Sequence, residues 1–359
     1  MEDDSETTVL LNEIICSEIL PRLPVKTLLR FRCVCKSWSS LILNPGFATA
    51  YRNLCSGERK RSHLLFFTCE SEYQKEQRVF SVQLNQEGSQ RRATHVLTLK
   101  QLYQAQSTKG LVCFSLSKTS SSYLEVLDNR VHIFNPSTRH VVTLPQTSRV
   151  NLTVYVAHHF GFSSLTNEHK VLQIQRYKRG LIFNTFVLGT STTWRQVEVD
   201  LADLPFDPLE FKFDTSSVST YGAIHWLHPT LNIIVAFDMN GAERFKVVPI
   251  PDGIDLHDPL VRLDKVDGCL ALIDGRKQQS YMKGLWILKD YKNHVWVKED
   301  ILFPFQNDIV RGLADLRLHQ YNMKTKSYRL SQILLPEWRN DSRMLDMLTS
   351  YDEGIVPLR

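Results

Sequence analysis

The stretch that decides the fold reads Leu11-Asn12-Glu13-Ile14-Ile15-Cys16-Ser17-Glu18-Ile19-Leu20-Pro21-Arg22-Leu23-Pro24-Val25-Lys26-Thr27-Leu28-Leu29-Arg30-Phe31-Arg32-Cys33-Val34-Cys35-Lys36-Ser37-Trp38, then Ser39-Ser40-Leu41-Ile42 and Asn44-Pro45-Gly46-Phe47. Its apolar residues predict three short helices in a row. The first runs from Asn12, a favourable N-cap with Glu13 in the first turn, to Leu23. In it Ile15, Ile19 and Leu23 recur every four residues, with Leu20 beside the stripe. Pro24 ends that helix and suits the first turn of the next, which carries Leu28, Phe31 and Cys35 on one face, widened by Leu29 and Val34. The third holds Trp38, Leu41 and Ile42 and stops at Asn44-Pro45-Gly46.

A segment of about 40 residues rarely buries enough apolar surface to fold alone. This one has Leu, Ile, Phe, Val and Trp on more than one face of each helix, so part of that surface meets something outside the segment. The pattern alone leaves two occupants open: the rest of the same chain, or a second protein.

The string from Glu18 through Leu23-Pro24-Val25-Lys26, Leu28-Leu29-Arg30-Phe31-Arg32-Cys33-Val34-Cys35-Lys36-Ser37 to Trp38 closely resembles the F-box, in the form common among plant proteins. One position departs from it. The family opens with Leu-Pro and an acidic residue, whereas Leu11-Asn12-Glu13 lacks the proline. The resemblance implies docking on a Skp-type adaptor and, through it, a cullin-RING ubiquitin ligase. The adaptor contacts expected under it are Leu11, Ile15, Leu20, Pro24, Leu28, Val34, Cys35 and Trp38, since large apolar residues dominate the centre of an interface.

Composition sets the bounds around that segment. A chain of 359 residues has room for one large or two ordinary domains, and 43% hydrophobic with 23% charged residues is a globular balance. The net charge of +5 is mild, and the runs Arg59-Lys60-Arg61 and Arg91-Arg92 are too short to suggest nucleic acid; a solvated loop is expected. Seven cysteines spread without a CxxC pair argue for a reducing compartment, with Cys33 and Cys35 read as small apolar packing residues rather than a zinc knuckle. The acidic Met1-Glu2-Asp3-Asp4-Ser5-Glu6 is unlike a signal peptide, and the apolar run Ile233-Ile234-Val235-Ala236-Phe237 is far below the ~18 residues of a membrane helix. A soluble protein of the nucleus or cytoplasm, with no membrane partner, is expected.

Beyond Tyr51 the helical period disappears, and from Leu64 onward short β-rich runs alternate with Gly, Asn, Asp, Ser and Pro. One unit recurs: an apolar strand, a polar turn and a second strand. Its anchors Val82, Phe134, Val187, Phe237, Ile287 and Tyr321 are spaced by 52, 53, 50, 50 and 34 residues. A period near 50 is that of a kelch-type propeller blade, and about six blades are expected. Gly110, Gly222 and Gly268 each precede an apolar run, read here as close backbone approach near a crowded axis. Gly110-Leu111-Val112-Cys113, Asn135-Pro136-Ser137-Thr138-Arg139 with Leu144-Pro145, Phe160-Gly161-Phe162 and Ile224-His225-Trp226-Leu227 are similar to the F-box-associated region of plant proteins, as is the closing segment around Tyr351-Asp352-Glu353. That resemblance implies a propeller-like substrate-binding domain.

No GxGxxG, P-loop, HExxH or GxSxG motif occurs, so no cofactor is expected. His225 and His228 have a metal-like spacing, but residues three apart in a strand point to opposite faces; adjacent His158 and His159 fail likewise. His257-Asp258 reads as turn chemistry. Trp194, Trp226, Trp286, Trp296 and Trp338 are expected in blade cores.

The expectation is a multi-domain chain, α followed by all-β: a three-helix F-box over 8–52, a linker over 53–63 and a propeller over 64–359. Its expected role is the non-catalytic substrate-recognition subunit of an SCF (Skp–cullin–F-box) ubiquitin ligase, bridging the adaptor to a target protein for ubiquitination. The alternative is a propeller scaffold outside any ligase, capped by its N-terminal helices.

Overall fold

The computed structural model describes residues 14–54, 62–69, 76–84, 90–100, 103–116, 130–147, 153–202, 204–213, 215–275, 282–302, 316–322, 325–334, 344–352 and 358. The chain divides into two compact units, 1–144 with 332–359, and 145–331.

The helical part opens with a π-type turn, Ile15–Ile19, and a 3-10 turn, Leu20–Arg22. Helices α1 (Val25–Phe31), α2 (Lys36–Ile42) and α3 (Pro45–Leu54) follow. Two expectations are corrected here. The first helix tightens and loosens within one stretch instead of running as an α-helix. Asn44-Pro45-Gly46, expected as a stop, also starts α3: Asn44 Oδ1 accepts from Gly46 N at 2.7 Å, and Pro45 occupies the first position, where a missing N–H costs nothing.

The strands are β1 (Ser62–Cys69), β2 (Gln77–Gln83), β3 (Gln90–Arg92), β4 (Thr94–Leu99), β5 (Tyr103–Thr108), β6 (Leu111–Leu116), β7 (His132–Asn135) and β8 (His140–Thr143). Next come β9 (Thr153–Ser163), β10 (Glu168–Tyr177), β11 (Gly180–Val187), β12 (Arg195–Val197), β13 (Val218–Thr220), β14 (Ala223–His228), β15 (Ile233–Asp238) and β16 (Phe245–Pro249). The chain continues with β17 (Val261–Val266), β18 (Cys269–Asp274), β19 (Met282–Asp290), β20 (Val295–Leu302), β21 (Leu316–Asn322), β22 (Ser327–Leu334) and β23 (Met344–Asp352).

In the first unit, β5-β6-β7-β8 form one four-stranded meander and β23-β1-β2-β4 another. The second of these joins the last strand to the first, because β23 pairs antiparallel with β1. Leu65, Phe67, Val79 and Leu99 of one sheet pack on Tyr103, Val112, Phe114 and Phe134 of the other. Here too 332–334 pair in parallel with β3.

In the second unit, β9 to β12, β13 to β16 and β17 to β20 form three four-stranded meanders, and β21 pairs with β22. The run Ile233-Ile234-Val235-Ala236-Phe237 lies in β15 with a neighbouring sheet on each side. Val235 and Phe237 join Leu172, Ile174 and Phe183 on one face; Ile234 and Ala236 join Leu270, Leu272 and Leu288 on the other. A strand covered on both faces is apolar throughout, which explains the unbroken run.

The anchors Val82, Phe134, Val187, Phe237 and Ile287 fall on β2, β7, β11, β15 and β19, the third strand of each four-stranded sheet. The described residues give five such blades rather than six. Tyr321 follows Ile287 by only 34 residues, too few for another four-stranded repeat, and within the second unit its strand β21 pairs with β22.

The repeated glycines owe their place to backbone conformation rather than to a crowded axis. Lys109-Gly110, Tyr221-Gly222 and Asp267-Gly268 are two-residue hairpin loops with both residues at positive φ (46° and 86°, 53° and 69°, 50° and 82°). This is the type I′ geometry, whose twist matches that of the strands it joins. A Cβ on Gly268 would meet nothing, whereas one on Gly222 would overlap the Asn240 amide. The polar turns of the repeat have their own device. Asn135 Oδ1 accepts from the N–H groups of Ser137 and Thr138 at 3.0 and 3.2 Å. Asp290 Oδ1 likewise accepts from Lys292 and Asn293, both at 3.0 Å. Each loop ends on a left-handed residue, Arg139 or His294.

Two predictions follow from these turns and from the core. Gly268→Ala should lower unfolding free energy by about 1–2 kcal/mol, the left-handed penalty alone. Gly222→Ala should cost more, because Asn240 is pinned by Ser163 and Ser164; equal urea midpoints for the two variants would contradict this. The second concerns His225, which is fully buried: Nδ1–H donates to Val218 O at 3.1 Å, and Nε2 accepts from Tyr291 O–H at 2.9 Å. Burial pushes its imidazole down to about 4. Between the ordinary value near 6.5 and about 4, the unfolded chain binds a proton that the native chain refuses. Stability is therefore complete above about pH 6.5, falls by about 3 kcal/mol as pH drops to 4, and levels off below. Urea titrations of wild type and His225→Gln at pH values of about 7.5, 5 and 4 check it; the variant should lose this part of the slope, and identical slopes would refute the assignment.

Candidate functional site

The helical segment builds its surface from the inside out. Pro24, extended at ψ 145°, accepts from the N–H groups of Thr27 and Leu28 and so starts α1. The helix closes at Phe31, and the N–H groups of Arg32, Cys33 and Val34 turn back onto Leu28, Arg30 and Phe31. Cys35 is extended, with φ −155° and ψ 165°, and leads into α2. Its Sγ lies 3.1 Å from Ser37 Oγ.

Leu20, Val25, Leu28, Ile42, Phe47, Ala48 and Tyr51 form the core of this segment. Ile15, Leu23, Leu29, Phe31, Trp38 and Leu41 lie half-buried around it, and the Phe31 and Trp38 rings tilt together at 5.2 Å. Among the described residues, no side chain beyond Tyr51 belongs to this core. Among the described residues of this segment, three large apolar side chains stay in solvent: Val34 at 64% exposure, Ile14 at 50% and Ile19 at 48%. The exposed ion pair Glu18–Arg22 contributes little.

The sequence-expected contacts separate on this geometry. Leu20 and Leu28 are wholly buried in the segment's own core. Ile15, Pro24 and Trp38 are half-buried, Val34 and Cys35 are exposed, and Leu11 lies outside the described residues. Ile14 and Ile19 were not among the expected contacts. The stripe Ile15, Ile19, Leu23 assumed a four-residue repeat, but the first turn is π-type, with Leu20 N–H bonded to Ile15 O. The added residue per turn carries Leu20 inward and leaves Ile19 outside. A second correction concerns the thiols. Val34 and Cys35 lie beyond the end of α1, so Cys33 and Cys35 face solvent instead of packing.

The histidines of the strands are structural. Gln173 Nε2 donates to His158 Nε2 at 2.9 Å. His159 donates to Phe213 O and accepts from Ser217 Oγ, both at 2.8 Å. His228 turns away from His225, stacks on Phe211 and accepts from Leu231 N–H. Asp255, rather than Asp258, bonds His257 at 3.0 Å, and Asp258 accepts from Leu260 N–H. Among the described residues, no group of three His, Cys, Asp or Glu side chains is placed to hold a metal ion.

Of the tryptophans, Trp226 is core; Trp286 and Trp296 pack beside Leu270 and Leu288. Trp194 and Trp296 have a further use, donating their indole N–H to the carbonyls of Pro145 at 2.6 Å and Pro249 at 3.0 Å. Trp338 lies outside the described residues. No helix among the described residues is long and apolar enough to cross a membrane.

Comparison with known proteins follows the same division into a helical segment and strands. The F-box domain family matches residues 10–49, and the F-box associated beta propeller domain family matches residues 54–326. An F-box protein of Arabidopsis thaliana is 29% identical over 297 residues, covering 78% of this chain and 69% of its own. An F-box/kelch-repeat protein of the same plant is 25% identical over 327 residues, 83% of this chain and 70% of its own. Among solved structures, a post-proline cleaving enzyme from Rickettsia typhi aligns over 63% of this chain and 31% of its own at 10% identity, with a TM-score of 0.29, too low to carry an argument. With a helical segment that closes on itself and a run of meander sheets behind it, the chain belongs to the plant F-box proteins that carry an F-box-associated β-propeller.

Proposed function

We propose that this chain is the substrate-recognition subunit of an SCF-type ubiquitin ligase. The helical segment, 8–52, docks on a Skp-type adaptor; 53–63 connects; 64–359 holds a target protein. The chain carries out no bond chemistry itself. It raises the effective concentration of the target's lysines near a ubiquitin-charged enzyme held elsewhere in the complex. We place it in the nucleus or cytoplasm, and read the near-50-residue period as kelch-like, which the name of one relative supports.

The observation that carries the reading is the apolar surface left on the helical segment after its own core is filled. Val34, Ile14 and Ile19, with half-buried Ile15, Pro24 and Trp38 and exposed Cys35, make up the proposed adaptor contact. Leu20 and Leu28 shape that surface from beneath. The capping alternative is disfavoured because no strand residue among those described enters the helical core.

Calorimetry of the full chain with a purified Skp-type adaptor tests this. Val34→Asp should weaken binding about 10- to 100-fold, since it sets a charge in an apolar interface, and shift stability by less than about 0.5 kcal/mol. Leu28→Asp should instead unfold the helical segment. Wild-type affinity in Val34→Asp would remove the surface from the account. A chain lacking 1–51 should stay folded and lose only the adaptor; its precipitation would favour the capping reading.

A further inference from the structure

We propose that Cys33 and Cys35 are a peroxide-sensitive thiol pair, and that their closure into an intrachain disulfide releases the adaptor. The second half rests on the adaptor reading above; the first does not. Both thiols are exposed, on either side of Val34, in the connection between α1 and α2. Two trans peptide units of 3.8 Å hold their Cα atoms about 5–7 Å apart, within the span a disulfide bridges. Ser37 Oγ, at 3.1 Å, and the backbone N–H of Trp38 stabilise the Cys35 thiolate, holding it below the ordinary thiol range.

Two cysteines of the strands differ. Cys113 is sealed inside a sheet, where burial pushes its thiol up, and Cys269 is half-buried. A solvent-accessible, acidified thiol beside a resolving cysteine is the arrangement of peroxide sensors.

The chemistry balances with hydrogen peroxide as the oxidant. The Cys35 thiolate attacks one peroxide oxygen; the O–O bond breaks, a sulfenic acid forms, and hydroxide leaves to become water. The Cys33 thiolate then attacks the Cys35 sulfur; the S–O bond breaks and a second water leaves. Two thiols are oxidised by two electrons in all, and peroxide is reduced to two waters. The new bond clamps the turn that presents Val34.

Trypsin cuts after Arg32 and Lys36, so both thiols fall on the peptide Cys33-Val34-Cys35-Lys36, apart from every other cysteine. The full chain, treated with peroxide and digested, should show that peptide lighter by about 2 Da, the two hydrogens lost, and restored by dithiothreitol, with Cys113 unmodified. Adaptor affinity should fall about tenfold on oxidation and return on reduction. Cys33→Ser should bind the adaptor like wild type when reduced, and stop at a sulfenic acid that dimedone traps. An unoxidised peptide, or oxidation of Cys113 ahead of it, would overturn the thiol pair. A disulfide that leaves adaptor affinity unchanged would overturn its effect on docking. A reduced chain without adaptor affinity would instead sink the adaptor reading, and the peptide mass would still decide the thiol pair.

Discussion

The interior of the helical segment holds a fixed volume, and seven side chains fill it: Leu20, Val25, Leu28, Ile42, Phe47, Ala48 and Tyr51. Interiors are close-packed, so further apolar groups cannot be accommodated without voids or strain. The segment contains more of them than it can enclose. Ile14 and Ile19 beside the π-type turn, and Val34 beyond the end of α1, remain in solvent. We read these exposed apolar side chains as the place where another protein docks. Among the described residues this core ends at Tyr51 and takes in no side chain from the strands.

The sheets answer a different constraint. A one-residue slip in register would turn every core residue of a strand to the wrong face. Short loops prevent it: type I′ pairs such as Asp267-Gly268 set the first hairpin of a blade, and an Asn or Asp at the end of the third strand sets the last. Indole bonds from Trp194 and Trp296 to proline carbonyls add a recurring tie. With the frame fixed locally, longer connections are free to differ. The stretch between β12 and β13 uses that freedom, folding Phe211 and Phe213 onto Trp226.

Much of this was legible in the sequence, for identifiable reasons. The anchors spaced by about 50 residues fall on third strands, most of whose residues are buried. What stayed hidden depended on hydrogen bonds that no residue type announces. A π-type turn exchanged the places of Ile19 and Leu20, and an early end to α1 put Cys33 and Cys35 in solvent. Asn44 both closed one helix and capped the next. The pairing of β23 with β1 and of β22 with β3 joins residues hundreds of positions apart, beyond any local pattern.

The central claim is that the helical segment, complete in its own core, keeps an apolar surface for a second protein. Amide hydrogen exchange of the full chain, with and without a purified Skp-type adaptor, tests it directly. Exchange in residues 14–20 and 31–38 should slow on adding the adaptor, while the strands remain unchanged. Unaltered exchange in those residues, or protection confined to the sheets, would contradict it.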